Sequence, residues 1–456
     1  MAKKTKTTFV CQECGYDSPT WMGQCICGAW NSFVEEKILP VAKEDTRRRT
    51  TDSAKPAKLK EVGTSEYKRT STHIGELDRV LGGGLVKGSL VLISGEPGIG
   101  KSTIIIQTAA NIANAGQRVL YVSGEESEEQ IKIRADRVCN QISDNLFVLP
   151  ETNLENVEAA CDNIKPDFLI IDSIQTMYSD ELDSAAGSVS QVRTCGNKLM
   201  KIGKTGDIPI FIVAHVTKSG DLAGPKTVEH LVDCVLNFAG ERDQELRILR
   251  SFKNRFGTTS EIGAFIMVES GLEEVRDISC TFLEGKSEEA EGSVTAAIYE
   301  GSRPVMFEVQ ALVTPANIGF ARRTAVGVDN TRLSMILAVL EKKAGLQLIN
   351  QDVYINIVGG LKPEGTSVDL AVALAIYSSL KNISAAKKTL AIGEIGLTGD
   401  LRAVRNAEKI VKEAHRMGYE KVIMPVSNLK YIKEKTSGCQ VVGVKNIGEA
   451  IRAFAK

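Results

Sequence analysis

The sequence predicts a multidomain α/β protein, and three observations carry that expectation. Four cysteines and two tryptophans crowd the first thirty-five residues, the mark of a small metal-stapled unit. From residue 69 to 272, short apolar runs alternate with helix-length amphipathic segments. A second α/β pattern, with longer strands and helices, fills residues 273–456. At 456 residues the chain is long enough for two or three domains.

The N-terminal unit, residues 1–35, holds Cys11, Cys14, Cys25 and Cys27 in the spacing C-x2-C, ten residues, C-x-C. Paired CxxC turns aim backbone N–H groups at two thiolates and set them for tetrahedral zinc. The second pair is one residue short, so four-thiolate coordination competes with a smaller ligand set, and four free thiols are the bland alternative. Zn2+ is the expected ion. So small a unit has little core of its own, and Trp21 and Trp30 are expected to pack over the site. Residues 36–68 carry many charges, prolines and few bulky apolar side chains, which reads as a flexible basic linker.

In residues 69–272, the runs LVLISG, VLYVSG, NLFVLP, FLIIDS and IPIFIVAH read as continuous apolar strands. Strands of that kind between helices build a mostly parallel sheet covered on both faces. The segment LVLISGEPGIGKST fits GxxxxGK[ST] between a strand and an amphipathic helix. Gly95, Glu96, Pro97, Gly98, Ile99, Gly100, Lys101, Ser102 and Thr103 are therefore the expected nucleotide-binding loop. Glycines let backbone N–H groups wrap phosphates, and the helix N-terminus adds the positive end of its dipole. Lys101 is expected to reach the β/γ oxygens of ATP, with the Ser102 hydroxyl a Mg2+ ligand. Asp172 ends the run FLIID, where a neighbouring strand must supply an acid to the magnesium shell. Glu125 and Glu126 follow the strand VLYVS; a carboxylate there is placed to polarise the attacking water. Glu125 is the favoured base and Glu126 the alternative, while acids at a helix N-terminus are also stabilising by themselves.

The order of phosphate loop, YVSGEES, IIDSIQT and HVTKSGDLAGPKTVEHLVD resembles the RecA-like ATPases. More narrowly it resembles the RadA (Sms) family of bacterial DNA-repair and recombination proteins, whose hallmark KNRFG stands at Lys253–Gly257. The resemblance covers essentially the whole chain. It implies a DNA-dependent ATPase that forms a homo-oligomeric, hexameric ring with ATP at subunit interfaces. Lys253 and Arg255 are then the candidates to complete a neighbour's site, and a strand end with two surface cations is the plainer reading. His215, at the end of IPIFIVAH, is implied as a γ-phosphate sensor. The segments 175–194 and 216–227 occupy the DNA-loop positions, with Arg193, Lys218 and Lys226 as phosphate contacts. Their acids Asp180, Glu181, Asp183 and Asp221 dilute any electrostatic patch, and without the resemblance the segments read simply as mobile loops. The implied partners are single-stranded and branched DNA and recombinase, replication or repair proteins.

The C-terminal residues resemble the proteolytic domain of Lon, most recognisably in GEIGLTGDLRAVRN. Ser367 stands where Lon-type enzymes carry their nucleophile. Asp369 and Leu370 replace the small residues beside it, and Glu408 takes the position of the catalytic lysine. Lys409 lies one step, about 100°, round the helix. A non-proteolytic scaffold is the expectation, with Lys342, Lys343, Arg402 and Arg405 as possible duplex-DNA contacts.

Lys and Arg total 56 and Asp and Glu 57, so the net charge of −1 offers no global signature for nucleic acid. Six of the ten cysteines are scattered singly, which points to a reducing compartment. The N-terminal MAKKTKTTFV lacks an apolar signal core, and no apolar run approaches the ~18 residues of a membrane span. A cytoplasmic protein without a membrane partner is expected.

Overall fold

The computed structural model describes residues 6–13, 15–38, 69–214, 226–240, 246–287, 290–316, 321–359, 361–363, 365–385, 388–432 and 438–455. Cys14, most of the expected linker, His215 and Lys218 lie outside the described residues. The chain divides into two compact units, Met1–Glu274 and Val275–Lys456. No helix among the described residues is long and apolar enough to cross a membrane.

The first unit begins with a three-stranded ribbon of β1 (Lys6–Cys11), β2 (Asp17–Ser18) and β3 (Phe33–Ile38). β1 is central and antiparallel to both neighbours, with Cys11 opposite Phe33. Its core is Cys11, Cys25 and Phe33, with Phe9 and Met22 against them. Trp21 and Trp30 do not join it, being 53% and 70% exposed. Both stand in the irregular segment between β2 and β3, and the small interior is already filled by the cysteines, Phe33, Phe9 and Met22.

After β4 (Arg69–Thr70), α1 (Gly75–Leu81) and β5 (Leu85–Val86) comes the α/β core. It runs β6 (Leu90–Gly95), α2 (Lys101–Asn114), β7 (Val119–Ser123), α3 (Glu128–Val138), β8 (Leu146–Pro150), α4 (Leu154–Ile164) and β9 (Phe168–Asp172). There follow α5 (Val189–Gly206), β10 (Ile210–Val213), α6 (Lys226–Leu231), β11 (Cys234–Ala239), β12 (Leu246–Asn254), β13 (Ile262–Val268) and β14 (Gly271–Glu274). The strands form one nine-stranded sheet in the order β14-β13-β12-β11-β6-β10-β9-β7-β8. The six strands β11, β6, β10, β9, β7 and β8 are mutually parallel in that order, whereas β12, β13 and β14 are appended antiparallel.

Strand alternation divides the core between the two faces of this sheet. Val91, Ile93, Phe168 and Ile170 join Ile104, Ile105 and Ile131 from α2 and α3 on one face. Leu90, Leu92, Leu169 and Ile171 meet Leu154, Val192 and Leu199 from α4 and α5 on the other. The residues at β6, β7, β9 and β10 are buried on both faces, which is why those runs are apolar throughout. All their C-terminal ends lie along one edge, where an open parallel sheet places its ligands.

The second unit comprises α7 (Ile278–Leu283), β15 (Ser293–Glu300), β16 (Arg303–Pro315), β17 (Arg323–Val326), α8 (Asn330–Ala344), β18 (Gln351–Ile357) and α9 (Asp369–Lys381). It continues through β19 (Thr389–Ala391), β20 (Glu394–Ile395), β21 (Leu401–Arg402), α10 (Ala407–Arg416), β22 (Lys421–Pro425), β23 (Gln440–Val444) and α11 (Ile447–Phe454). Its sheet has seven strands in the order β17-β18-β16-β15-β19-β22-β23. In α10 the buried residues Ala407, Ile410, Val411 and Ala414 follow the helical period, and charged residues cover the opposite face.

Candidate active site and metal centre

Between β6 and α2 the chain turns through Gly98 and Gly100, at φ +81° and +115°. A Cβ at Gly100 would stand 2.8 Å from Met267 Cε, whereas one at Gly98 would meet nothing within 4 Å. Gly100 thus answers a packing constraint, and Gly98 leaves an open side to the loop. The first turn of α2 contains Lys101, Ser102 and Thr103 and no acidic residue, so its N–H groups and dipole are unopposed by charge. The loop is the kind of cradle a phosphate chain fills.

Lys101 is buried, and its Nζ donates to the carbonyls of Gly95 at 2.7 Å and Glu96 at 2.9 Å. Burial lowers its pKa to about 8, against the opposing pull of Asp172 and Glu125. Asp172, also buried, ends β9 two places along the sheet from the phosphate loop. Its Oδ2 accepts from the hydroxyl of the fully buried Tyr121 at 2.6 Å. Burial, reinforced by the adjacent Asp172, holds the Tyr121 phenol well above its ordinary pKa, so it stays protonated as the donor. The Asp172–Ser173 peptide is cis.

The two adjacent glutamates have different partners. Glu125 Oε1 accepts from Ser173 Oγ at 2.8 Å, and its charge acts on Lys101. Glu126 Oε1 is ion-paired with Arg134 of α3, whose helix begins with a Ser127–Gln130 capping box. Sequence reasoning did not find Tyr121, Ser173 or Arg134. For Tyr121 and Ser173 the signal was polar chemistry set inside or just beyond an apolar strand; Arg134, on a charged helix face, carried none.

Lys253 and Arg255 stand elsewhere. On β11, Phe238 is level with Gly95 of β6, while Val235 is level with Leu92 and with Lys253 of β12. Lys253 is therefore three residues, about 10 Å, back along the sheet from the phosphate loop, toward the strand beginnings. Its Nζ donates to the carbonyls of Glu229 at 2.8 Å and His230 at 3.3 Å, in the last turn of α6. Burial and the adjacent Arg255 lower its pKa, while Asp233 and Glu229 oppose that shift. Arg255 pairs with the buried Asp233 at 3.2 Å, and its own N–H donates to the Asp233 carbonyl. Neither cation reaches its own chain's phosphate loop from that end of the sheet.

In the ribbon, the sulfurs of Cys11, Cys25 and Cys27 all lie within 4.8 Å of one another. Cys11 Sγ is 3.9 Å from Cys27 Sγ, close to the ~3.8 Å edge that tetrahedral Zn–S bonds require. Tight turns support both arms: Gly15 N donates to Cys11 O, and Gly28 N to Cys25 O. The C-x-C arm is thus compatible with chelation, its turn closed by Gly28 beyond Cys27. Thiolates at this spacing fit a zinc ion.

Three family models match the chain: one described as "Rubredoxin metal binding domain" at residues 9–35, "AAA domain" at 53–221, and "Subunit ChlI of Mg-chelatase" at 317–428. Full-length relatives decide the family. The chain is 49% identical to "DNA repair protein RadA" of Bacillus subtilis, over 98% of each chain. Proteins of the same name from Streptococcus pyogenes serotype M6 and Halalkalibacterium halodurans are 50% and 49% identical, over 99% of each chain. The chain belongs to the RadA family. As a RadA-family protein with an AAA P-loop domain it is an ATP hydrolase, and such a domain uses nucleotide with Mg2+. The local donors fit that ion: a hydroxyl at Ser102 and the buried carboxylate of Asp172 are hard oxygen ligands.

The remaining expected positions divide differently from the RadA-based expectation. Arg193 is not in a loop; it lies in the first turns of α5, and its Nη1 donates to Gly15 O at 3.4 Å. Lys226 opens α6. The segment after Met177 is tied down rather than loose. Gln191 bonds Ser179, Leu182 and Ser184, while Lys198 pairs with Glu155 and Glu181.

In the RadA C-terminal domain, Ser367 lines a cavity of about 430 Å³ with Tyr299, Glu300, Thr366, Glu394 and Arg405. Lys409 Nζ bonds Tyr299 Oη at 2.5 Å and lies over that ring. Among the described residues no hydrogen bond joins the Ser367 side chain to a lysine. Asp369 is buried in an ion pair with Arg332 of α8, and also accepts from Ile395 N at 3.1 Å. The position that departs from the peptidase pattern thus braces α9 against α8, and Glu408 is paired with Lys412. Arg402 stands 4.0 Å from Glu394.

Proposed function

We propose that this chain is a ring-forming, DNA-dependent ATPase motor of recombinational repair. It acts on single-stranded DNA and promotes processing or branch migration of recombination intermediates, and the ring is a hexamer. The observation that carries this reading is the separation of Lys253 and Arg255 from their own phosphate loop along the sheet. Cations held at the opposite end serve a phosphate only if another copy brings its loop to them, so the site is completed between subunits.

In this mechanism the loop Gly95–Thr103 holds the phosphates, with Lys101 leaving its carbonyl partners for the β/γ oxygens. Ser102 and Asp172 would hold a magnesium ion, whose chemistry would be to neutralise charge on the phosphate oxygens. Glu125, oriented by Ser173, takes the proton of the attacking water. Lys253 and Arg255 of the adjacent copy stabilise the departing charge. His215 reports the γ-phosphate to the DNA-facing segments, where Arg193, Lys218 and Lys226 contact phosphate. Cys11, Cys14, Cys25 and Cys27 would hold zinc in a ribbon that engages recombinase, replication or repair proteins.

A second reading is an ATP-gated recombination scaffold that does not translocate. It draws on the hydrogen-bonded, acidic segment 178–184, which is poorly suited to move or to attract DNA. ATP turnover with and without single-stranded DNA tests the motor reading. Stimulation by DNA together with ATP-dependent strand displacement is expected; turnover indifferent to DNA would favour the scaffold.

A further inference from the structure

In β7 the hydroxyl of Tyr121 stands among Val119, Leu120 and Val122, inside the strand and ahead of the serine that ends it. Its ring packs in the apolar layer with Val119, Phe168 and Ile170. A phenylalanine would fill that layer without burying a polar atom, so the hydroxyl is retained at a desolvation cost. Register explains what it gains. Ser123 is level with Asp172 and Tyr121 with Ile170, so Tyr121 stands two residues short of Asp172 on the adjacent parallel strand. Two residues of strand rise are about 6.6 Å, near the reach of a tyrosine side chain. The hydroxyl accordingly meets Asp172 Oδ2 at 2.6 Å.

We infer that Tyr121 is a positioning residue of the ATPase site, fixing the Asp172 carboxylate through Oδ2 so that its orientation is preset to serve the metal shell. The inference rests on the reading that Asp172 contributes to holding magnesium. A carboxylate at a strand end otherwise turns about its own χ torsions, and a ligand that must first be ordered binds its ion more weakly. The tyrosine fixes that orientation from inside the sheet. It does so without touching nucleotide, and because the ring is wholly buried, the constraint is rigid.

The test uses the full-length chain and Mn2+ as the probe, with free Mn2+ read by electron paramagnetic resonance in the presence of ADP. ADP affinity in EDTA is measured alongside. For Tyr121→Phe, Mn2+ is expected to bind the protein–ADP complex about 10–100-fold more weakly, with ADP affinity in EDTA unchanged. Tyr121→Leu, which also removes the ring, is expected to show at least the same loss of Mn2+ affinity. Unchanged Mn2+ affinity in Tyr121→Phe, while Asp172→Ala weakens it, would overturn the positioning role. Unchanged Mn2+ affinity in Asp172→Ala would instead overturn the underlying magnesium reading. Loss of ADP affinity in EDTA by Tyr121→Phe would mark a packing role, and also overturn the proposal.

Discussion

Ser173 Oγ donates to Glu125 Oε1 across 2.8 Å, while the adjacent carboxylate of Glu126 is taken by Arg134. One hydrogen bond and one ion pair thus separate two residues that are chemically identical in sequence. Glu125 stands beside the end of β9 and within electrostatic reach of Lys101, whereas Glu126 is neutralised by an arginine of α3; that difference in surroundings is the ground for assigning the general-base role to Glu125.

Glu125→Gln is expected to lower ATP turnover by about 10²–10⁴-fold while leaving nucleotide binding intact. Glu126→Gln breaks a partly exposed ion pair, costs about 1 kcal/mol or less of stability, and keeps turnover near wild type. Steady-state turnover and ADP titration on the two variants check this. Equal losses in both would show that the pairing with Arg134 does not decide the role.

The lowered pKa of Lys101 has a direction that calorimetry reads. In the nucleotide-free protein burial brings it to about 8, so above that pH the amine is largely neutral. Phosphate oxygens favour the charged form and raise the pKa, so binding must take up a proton. ADP affinity is therefore expected to fall as pH rises above about 8, with proton uptake at pH near 8.5 and much less at pH 7. Titrations in buffers of different ionisation enthalpy measure that uptake. Equal uptake at both pH values would exclude Lys101 as its source.

The phosphate loop was legible in sequence because strand, glycine turn and helix are all local, and Asp172 because a strand end is marked by where apolar residues stop. The Tyr121–Asp172 bond was not, since a mid-strand tyrosine reads as core until the β7–β9 register is known. Nor was the remoteness of Lys253, which depends on β12 running antiparallel to β11 and on the irregularity between Val235 and Leu236. The tryptophans of the ribbon were misplaced for a different reason. Composition says that a small unit needs a core, but not that Cys11, Cys25 and Phe33 already fill it.

A core that small is expected to make the ribbon depend on a bound metal. Among described residues only Cys11, Cys25 and Phe33, with Phe9 and Met22 beside them, form its interior, too little apolar area to stand against chain entropy. Zinc chelation is expected to release a single zinc and abolish amide-exchange protection across residues 9–35, leaving the unfolding midpoint of the ATPase core unchanged. Cys25→Ser should act alike. Protection that survived complete removal of zinc would mean that packing alone folds the ribbon.

The separation of Lys253 from its own phosphate loop leads to the most discriminating expectation. Lys101→Ala removes the loop cation and Lys253→Ala the distant one, so each variant alone should lose turnover, by about 10³-fold or more if the distant cation acts as an arginine finger does. In a mixed assembly, a Lys253→Ala subunit still carries an intact phosphate loop, and a Lys101→Ala neighbour still offers an intact Lys253. Such a pair rebuilds one complete site from two defective chains. Mixing the two variants is therefore expected to restore a substantial fraction of wild-type turnover, rising with total protein concentration as assemblies form. If the cation acted within its own chain, no mixture would contain a complete site, and turnover would stay at the sum of the two variants. The geometry favours recovery, because Lys253 is bonded to the carbonyls of Glu229 and His230 at the strand-start end of the sheet, whereas Gly95 closes the other end.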